Sequence, residues 1–154
     1  MNTPTLGYED DSTISKQQIA VLQLAEAITL FLDGKFICAI TLSGAAEAVL
    51  AGLLANAGQS SIVEETAASI KVLRKVTGLT VAENKKDKQL FNDWNSSRNM
   101  LKHHSKGEDD TVVINLFDEA YWMIKRALAN AGKLTVRIGN EEEFESWVIL
   151  NINM

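Results

Sequence analysis

Beyond Pro4 the chain contains no proline. Proline ends helices because it has no amide hydrogen and its ring meets the preceding turn. A long chain free of it leans toward helix throughout. Glycine supplies the punctuation instead. Gly34, Gly58, Gly78, Gly107 and Gly132 each follow a stretch of good helix formers, where a left-handed C-terminal cap is expected. Ser15 with Gln18, Ser61 with Glu64 and Asn140 with Glu143 have capping-box spacing. These signals predict six helices, over 15–33, 35–57, 61–77, 84–106, 116–131 and 141–152. The expected fold is all-α, a five- to six-helix up-and-down bundle. Residues 1–13 are polar and aperiodic and read as a flexible N-terminal arm. Residues 14–154 read as a single helical-bundle domain, which suits a chain of 154 residues.

Apolar spacing supports these helices. Leu90, Phe91, Trp94 and Leu101 share one face of the fourth, and Phe144, Trp147, Val148 and Ile152 share one face of the sixth. Residues 112–114 and 134–138 are rich in β-formers. They read as extended connectors, with a short two-stranded ribbon as the alternative, because an isolated pair is marginal in water. The stretch 36–57 holds one charge, Glu47. It is long enough to span a bilayer, but a central carboxylate costs about 2.5–3.5 kcal/mol there. A central helix surrounded by other helices accounts for it better, with Ser43-Gly44 marking close packing.

Composition narrows the function classes. One cysteine, Cys38, excludes a disulfide scaffold and a cysteine-based zinc site. It sits in FICAI and reads as a small buried hydrophobe. No basic n-region leads into an apolar h-region, so no signal peptide is expected, and a cytoplasmic setting away from the membrane is the expectation. Residues 71–106 carry a formal +6 on a chain of net −5. Such a face either binds phosphate or is a solvated helix surface. Phosphate loops, nucleophile elbows and zinc-protease motifs are absent from the sequence. No cofactor is expected. A metal site from His103, His104, Asp109 and Asp110 is disfavoured, because adjacent histidines rarely reach one ion from a helix.

The chemistry concentrates in Trp94-Asn95-Ser96-Ser97-Arg98-Asn99-Met100-Leu101-Lys102-His103-His104. Arg98 follows Trp94 by four residues and Phe91 by seven, so it shares the apolar face. A guanidinium there must be paired or must line a pocket or interface. Both histidines of the chain lie in the expected last turn. Trp94 is placed for the core, with base stacking as the alternative. Tyr121 and Trp122 read as packing residues. Glu64 and Glu65 read as helix N-terminal acids.

This arrangement resembles the HEPN superfamily of small helical bundles, many of them ribonucleases. The family motif is an arginine, usually a polar residue after it, four to six intervening residues in all, and a histidine. Arg98-Asn99-Met100-Leu101-Lys102-His103 matches the four-residue form, and His104 would match the five-residue form. The match covers this one helix end. Members partnered by a nucleotidyltransferase often carry a tyrosine two residues after the histidine, where this chain has Ser105, so modification there is not expected. The resemblance implies a metal-independent endoribonuclease, a toxin or defence component, working as a homodimer whose two motifs meet in a cleft. An antitoxin or operon partner would accompany it. Arg98 would bind the phosphate of RNA and His103 or His104 would serve as general acid and base. Asn99 would orient the phosphate or the histidine, and Lys102, with Lys106 and the Lys85-Lys86-Lys88 cluster, would steer the backbone.

Two considerations bear on that reading. On a regular helix, positions 98 and 103 are about 140° apart. A shared site therefore requires the helix to end near 102, or a second subunit. Glu47, alone on an apolar helix, needs a partner, and Arg98 is the obvious one; within the family an earlier acid often supports the arginine. A structural Glu47–Arg98 pair in a catalytically silent interaction or scaffold module explains Arg98 equally well. A third reading is a small-ligand bundle with Glu47 and Arg98 lining a pocket.

Overall fold

The computed structural model describes residues 4–152. Its helices are α1 (Lys16–Leu32), α2 (Phe36–Asn56), α3 (Ile62–Thr77), α4 (Asp87–Met100), α5 (Leu116–Lys133) and α6 (Glu141–Asn151). The described residues contain no strand. The chain is an all-α bundle, and both β-rich stretches are connectors. Leu134 and Val136 of the second pack on the core, and Ile138 is buried in it.

The capping chemistry explains most of the boundaries. Ser15 Oγ accepts the Gln18 amide while Gln18 accepts the Ser15 amide. Ser61 and Glu64 do the same at α3, and Asn115 Oδ1 accepts the Asp118 amide at α5. Each cap satisfies amides that the first turn leaves orphaned. The expected box at Asn140 does not form. Its side-chain amide instead donates to the Ala25 carbonyl at 2.8 Å and to Thr29 Oγ1, tying α6 to α1.

Two helices differ from the sequence expectation. α4 is shorter than 84–106 at both ends. Ala82, Glu83 and Asn84 adopt left-handed φ near +50°, so the chain turns before it can enter the helix. At the other end Leu101 is the cap. The preceding turns are built from Asn95, Ser96, Ser97 and Asn99, whose short side chains compete for backbone hydrogen bonds. Gly107 lies beyond, in a turn rather than at a helix end. α5 is longer than 116–131. Gly132 is helical, Leu134 is the cap, and Thr135 takes the left-handed position.

The core lies where α1, α2 and α5 pack on one another. At one end Phe31 meets Phe36, Phe117, Phe144 and Trp147 with ring centroids 5.2–5.5 Å apart. Such tilted and edge-on pairs add about 0.5–1.5 kcal/mol each beyond their burial. α2 is the one described helix long and apolar enough to cross a membrane. Here it sits against both α1 and α5, burying Ala39, Ile40, Ala46, Leu50 and Leu54, with Glu47 turned inward. Cys38 is exposed, not buried as its apolar context implies, because it falls on the side of α2 away from the core. Trp122 packs at the surface rather than in the core: it is 61% exposed and meets Tyr121 edge-on, with ring centroids 4.9 Å apart.

Candidate functional site: a shared carboxylate and a histidine-bearing helix end

Glu47 is the centre of the buried polar cluster. Its side chain is 5% exposed. Arg98 Nη1 donates to Glu47 Oε2 at 2.9 Å and to the Gly44 carbonyl at 3.1 Å. Arg126, from α5, approaches the other oxygen, with Nη2 3.3 Å from Oε1. Asn130 Nδ2 donates to that same oxygen at 3.4 Å. One carboxylate therefore serves two guanidiniums and an amide. Three charges this deep are tolerated only when paired and hydrogen-bonded.

Local sequence accounts for each position. Gly44 lets the arginine stem cross α2. A Cβ built there would lie 2.5 Å from Arg98 Cδ. Ser43 turns its hydroxyl onto the Ala39 carbonyl and so spends its polarity within the helix. Arg126 reaches back to α4, donating to the Trp94 carbonyl at 2.7 Å and to Asn95 Oδ1 at 2.8 Å. Ser97, fully buried, donates to Glu119 Oε2 at 2.6 Å. Burial pushes the Arg126 pKa down, opposed by the attraction of Glu47 and reinforced by repulsion from Arg98. The Nε atoms of both arginines are buried and have no partner among the described residues. Each such orphan costs about 1–3 kcal/mol.

The helix end is separate from this cluster. Because α4 stops at Met100, the amides of Lys102 and His103 close back on the Asn99 carbonyl at 3.2 and 3.1 Å. The chain then leaves the helix direction. His103 and Asn99 border one surface concavity of about 470 Å³ together with Met100, Ser105 and Glu108. His104 and Lys102 line a second of about 470 Å³, which His103 and Glu108 also border. Arg98 lines neither. Both histidines, Asn99 and Lys102 are exposed. Glu108 accepts the Ser105 amide at 2.9 Å. That hydrogen bond holds its carboxyl below the usual range, and the two nearby imidazoles act in the same direction. No three His, Cys, Asp or Glu side chains among the described residues converge as metal ligands would.

The expected Glu47–Arg98 pair is thus present, whereas Arg98 borders neither of the concavities that the histidines line. Sequence reasoning missed Arg126, Asn130 and the Ser97–Glu119 bond. Asn130 had a signal: it follows Met123 and Ala127 at helical spacing and so lies on the buried face of α5. Arg126 had none, because exposed Trp122 and buried Met123 flank the same stripe.

A groove of about 510 Å³ runs between α3, α4 and α5. Its walls include Ile62, Thr66, Trp94, Trp122 and Arg126. The fold and this cluster define an all-α bundle with a buried, carboxylate-centred ion network. Compared with known proteins, the chain matches no family model, no curated protein and no solved structure.

Proposed function

We propose that this chain is a HEPN-like helical interaction module, catalytically silent, in which the Glu47–Arg98 pair is structural. The observation that carries this reading is the state of the guanidinium. Arg98 is 13% exposed, its Nη1 is committed to Glu47 and Gly44, and it borders neither histidine concavity. A phosphate-binding arginine must reach phosphate oxygens in the transition state. Withdrawing Arg98 to do so would leave Glu47 with a single guanidinium partner.

The test is direct. The purified protein is incubated with single-stranded and hairpin RNAs, with and without EDTA. No cleavage is expected. Cleavage that disappears in both Arg98→Ala and His103→Ala, with the fold retained, overturns the reading.

A second reading, the metal-independent endoribonuclease, is favoured by one specific feature. α4 ends at Met100, so Asn99 and His103 border a common concavity despite their helical spacing. In that reading a histidine takes the proton of a ribose 2′-hydroxyl, the 2′-oxygen attacks phosphorus, and the 5′-oxygen leaves with a proton returned to it. Arg98 supplies charge stabilisation once a second subunit completes the cleft.

A further inference from the structure

Glu119, Trp122, Met123 and Arg126 follow one another on α5 at spacings of three, one and three, which place them on one face of the helix. All four line the groove between α3, α4 and α5, and Trp94 of α4 and Ile62 of α3 line it with them. α3 is a lightly packed wall: of its sixteen residues only Ala67 is buried. Two indoles, a thioether and an isoleucine make much of the lining apolar. A volume of about 510 Å³ is that of a small-molecule site. Trp122 is 61% exposed, so much of its indole is free to take a ligand.

Charge selects the ligand. Four charged side chains reach the groove, and three of them are committed elsewhere. Asp93 pairs with Lys85 at 2.7 Å and Lys125 with Glu145 at 2.7 Å. Arg126 pairs with Glu47 and donates to the Trp94 carbonyl and to Asn95. Glu119 is the exception. It makes no ion pair among the described residues. Arg126 feels its attraction from beyond ion-pair distance. Buried Ser97 donates to Glu119 Oε2 at 2.6 Å and so fixes the carboxylate, while Oε1 has no hydrogen-bond partner among the described residues. An ionised carboxylate accepts several hydrogen bonds. Held one turn from an indole on the same helix face, it is suited to an organic cation: the carboxylate accepts the N–H and the ring face attracts the charge.

We propose that this groove binds a small organic ammonium ion with an apolar body. The charge sits between Glu119 and the face of Trp122, and the body lies against Trp94, Ile62 and Met123. The site goes beyond the interaction-module reading and uses neither Arg98 nor the histidines.

The experiment uses the full chain and three probes of one shape at neutral pH: phenethylammonium, phenethyl alcohol and phenylacetate. Binding is followed by chemical shifts of the backbone amides and of the indole N–H groups. Trp147, whose ring lies 5.2 Å from Phe31 in the core cluster, is the internal control. The ammonium is expected to move the Trp94 and Trp122 signals and not that of Trp147. It is expected to bind at least about tenfold more tightly than the alcohol. Glu119→Gln keeps an acceptor for Ser97 and is expected to remove that preference with the circular dichroism unchanged. Trp122→Leu, at an exposed position, is expected to weaken the ammonium about threefold or more. Equal affinity for the ammonium and the alcohol overturns the proposal, as does a preference that survives Glu119→Gln. Tighter binding of phenylacetate overturns it too, because Arg126 and Lys125 would then set the charge of the groove. So does an ammonium that leaves both groove indoles unmoved. Failure here leaves the silent-module reading intact, since that reading is decided by RNA cleavage.

Discussion

Glu47→Gln isolates the buried ion network, since glutamine keeps the shape and one acceptor but removes the charge. In the native protein the carboxylate faces Arg98 at 2.9 Å and Arg126 at 3.3 Å, with both side chains at 16% exposure or less. In the variant two guanidiniums remain beside each other with no anion between them. Removing one partner of a buried pair costs about 3–5 kcal/mol, and the shared geometry places this variant toward the upper end. The loss compares with a total stability of about 5–15 kcal/mol. For a chain of this length it corresponds to a fall in Tm of about 6–20 °C. Arg98→Met is milder, about 1–3 kcal/mol, because Glu47 keeps Arg126 and Asn130. Urea titration followed by circular dichroism gives both values, with an unchanged slope as the check on two-state unfolding. A Glu47→Gln variant within about 1 kcal/mol of the native protein, or one less harmful than Arg98→Met, would refute the network argument.

Gly44→Ala forces the Arg98 stem away from α2, since the new Cβ would sit 2.5 Å from Cδ; a loss of about 1–3 kcal/mol is expected in the same titration. Asn130→Ala removes the partner of the Ile62 amide and one partner of Glu47, for about 1–3 kcal/mol. Glu108 has a carboxyl pKa below its unfolded value, so its contribution is complete above the unfolded value and lost as pH falls through the lower, folded one. Glu108→Gln should therefore flatten the acid-side slope of stability, measured by urea midpoints across the carboxylate range, and leave the slope near neutrality unchanged.

The helices were legible because their signals are local. Ser15, Ser61 and Asn115 each act on amides three residues away, and Gly78 takes a left-handed φ of 66° where its chain position predicts it. What failed to show in the sequence depends on contacts between elements. Asn140 has the spacing of a cap, yet α1 offers it the Ala25 carbonyl instead. Positions 82–84 carry no glycine, so nothing local announces three left-handed residues ahead of α4. At the site, the Glu47–Arg98 pair was foreseeable, since a lone carboxylate and a lone guanidinium on apolar faces require each other. The claim of Arg126 on the same carboxylate was not, because it depends on how α5 crosses α2.

The amide of Ile62 shows how such a lightly packed helix keeps its place. First-turn amides ordinarily face water and exchange freely as helix ends fray. This one is tethered at 2.8 Å to Oδ1 of Asn130, a residue with no solvent exposure. The start of α3 is thus moored to the hydrophobic interior while the rest of the helix rides on the surface. Its opening turn should stay protected from hydrogen exchange almost as long as α5 does, and the distal turns should exchange first.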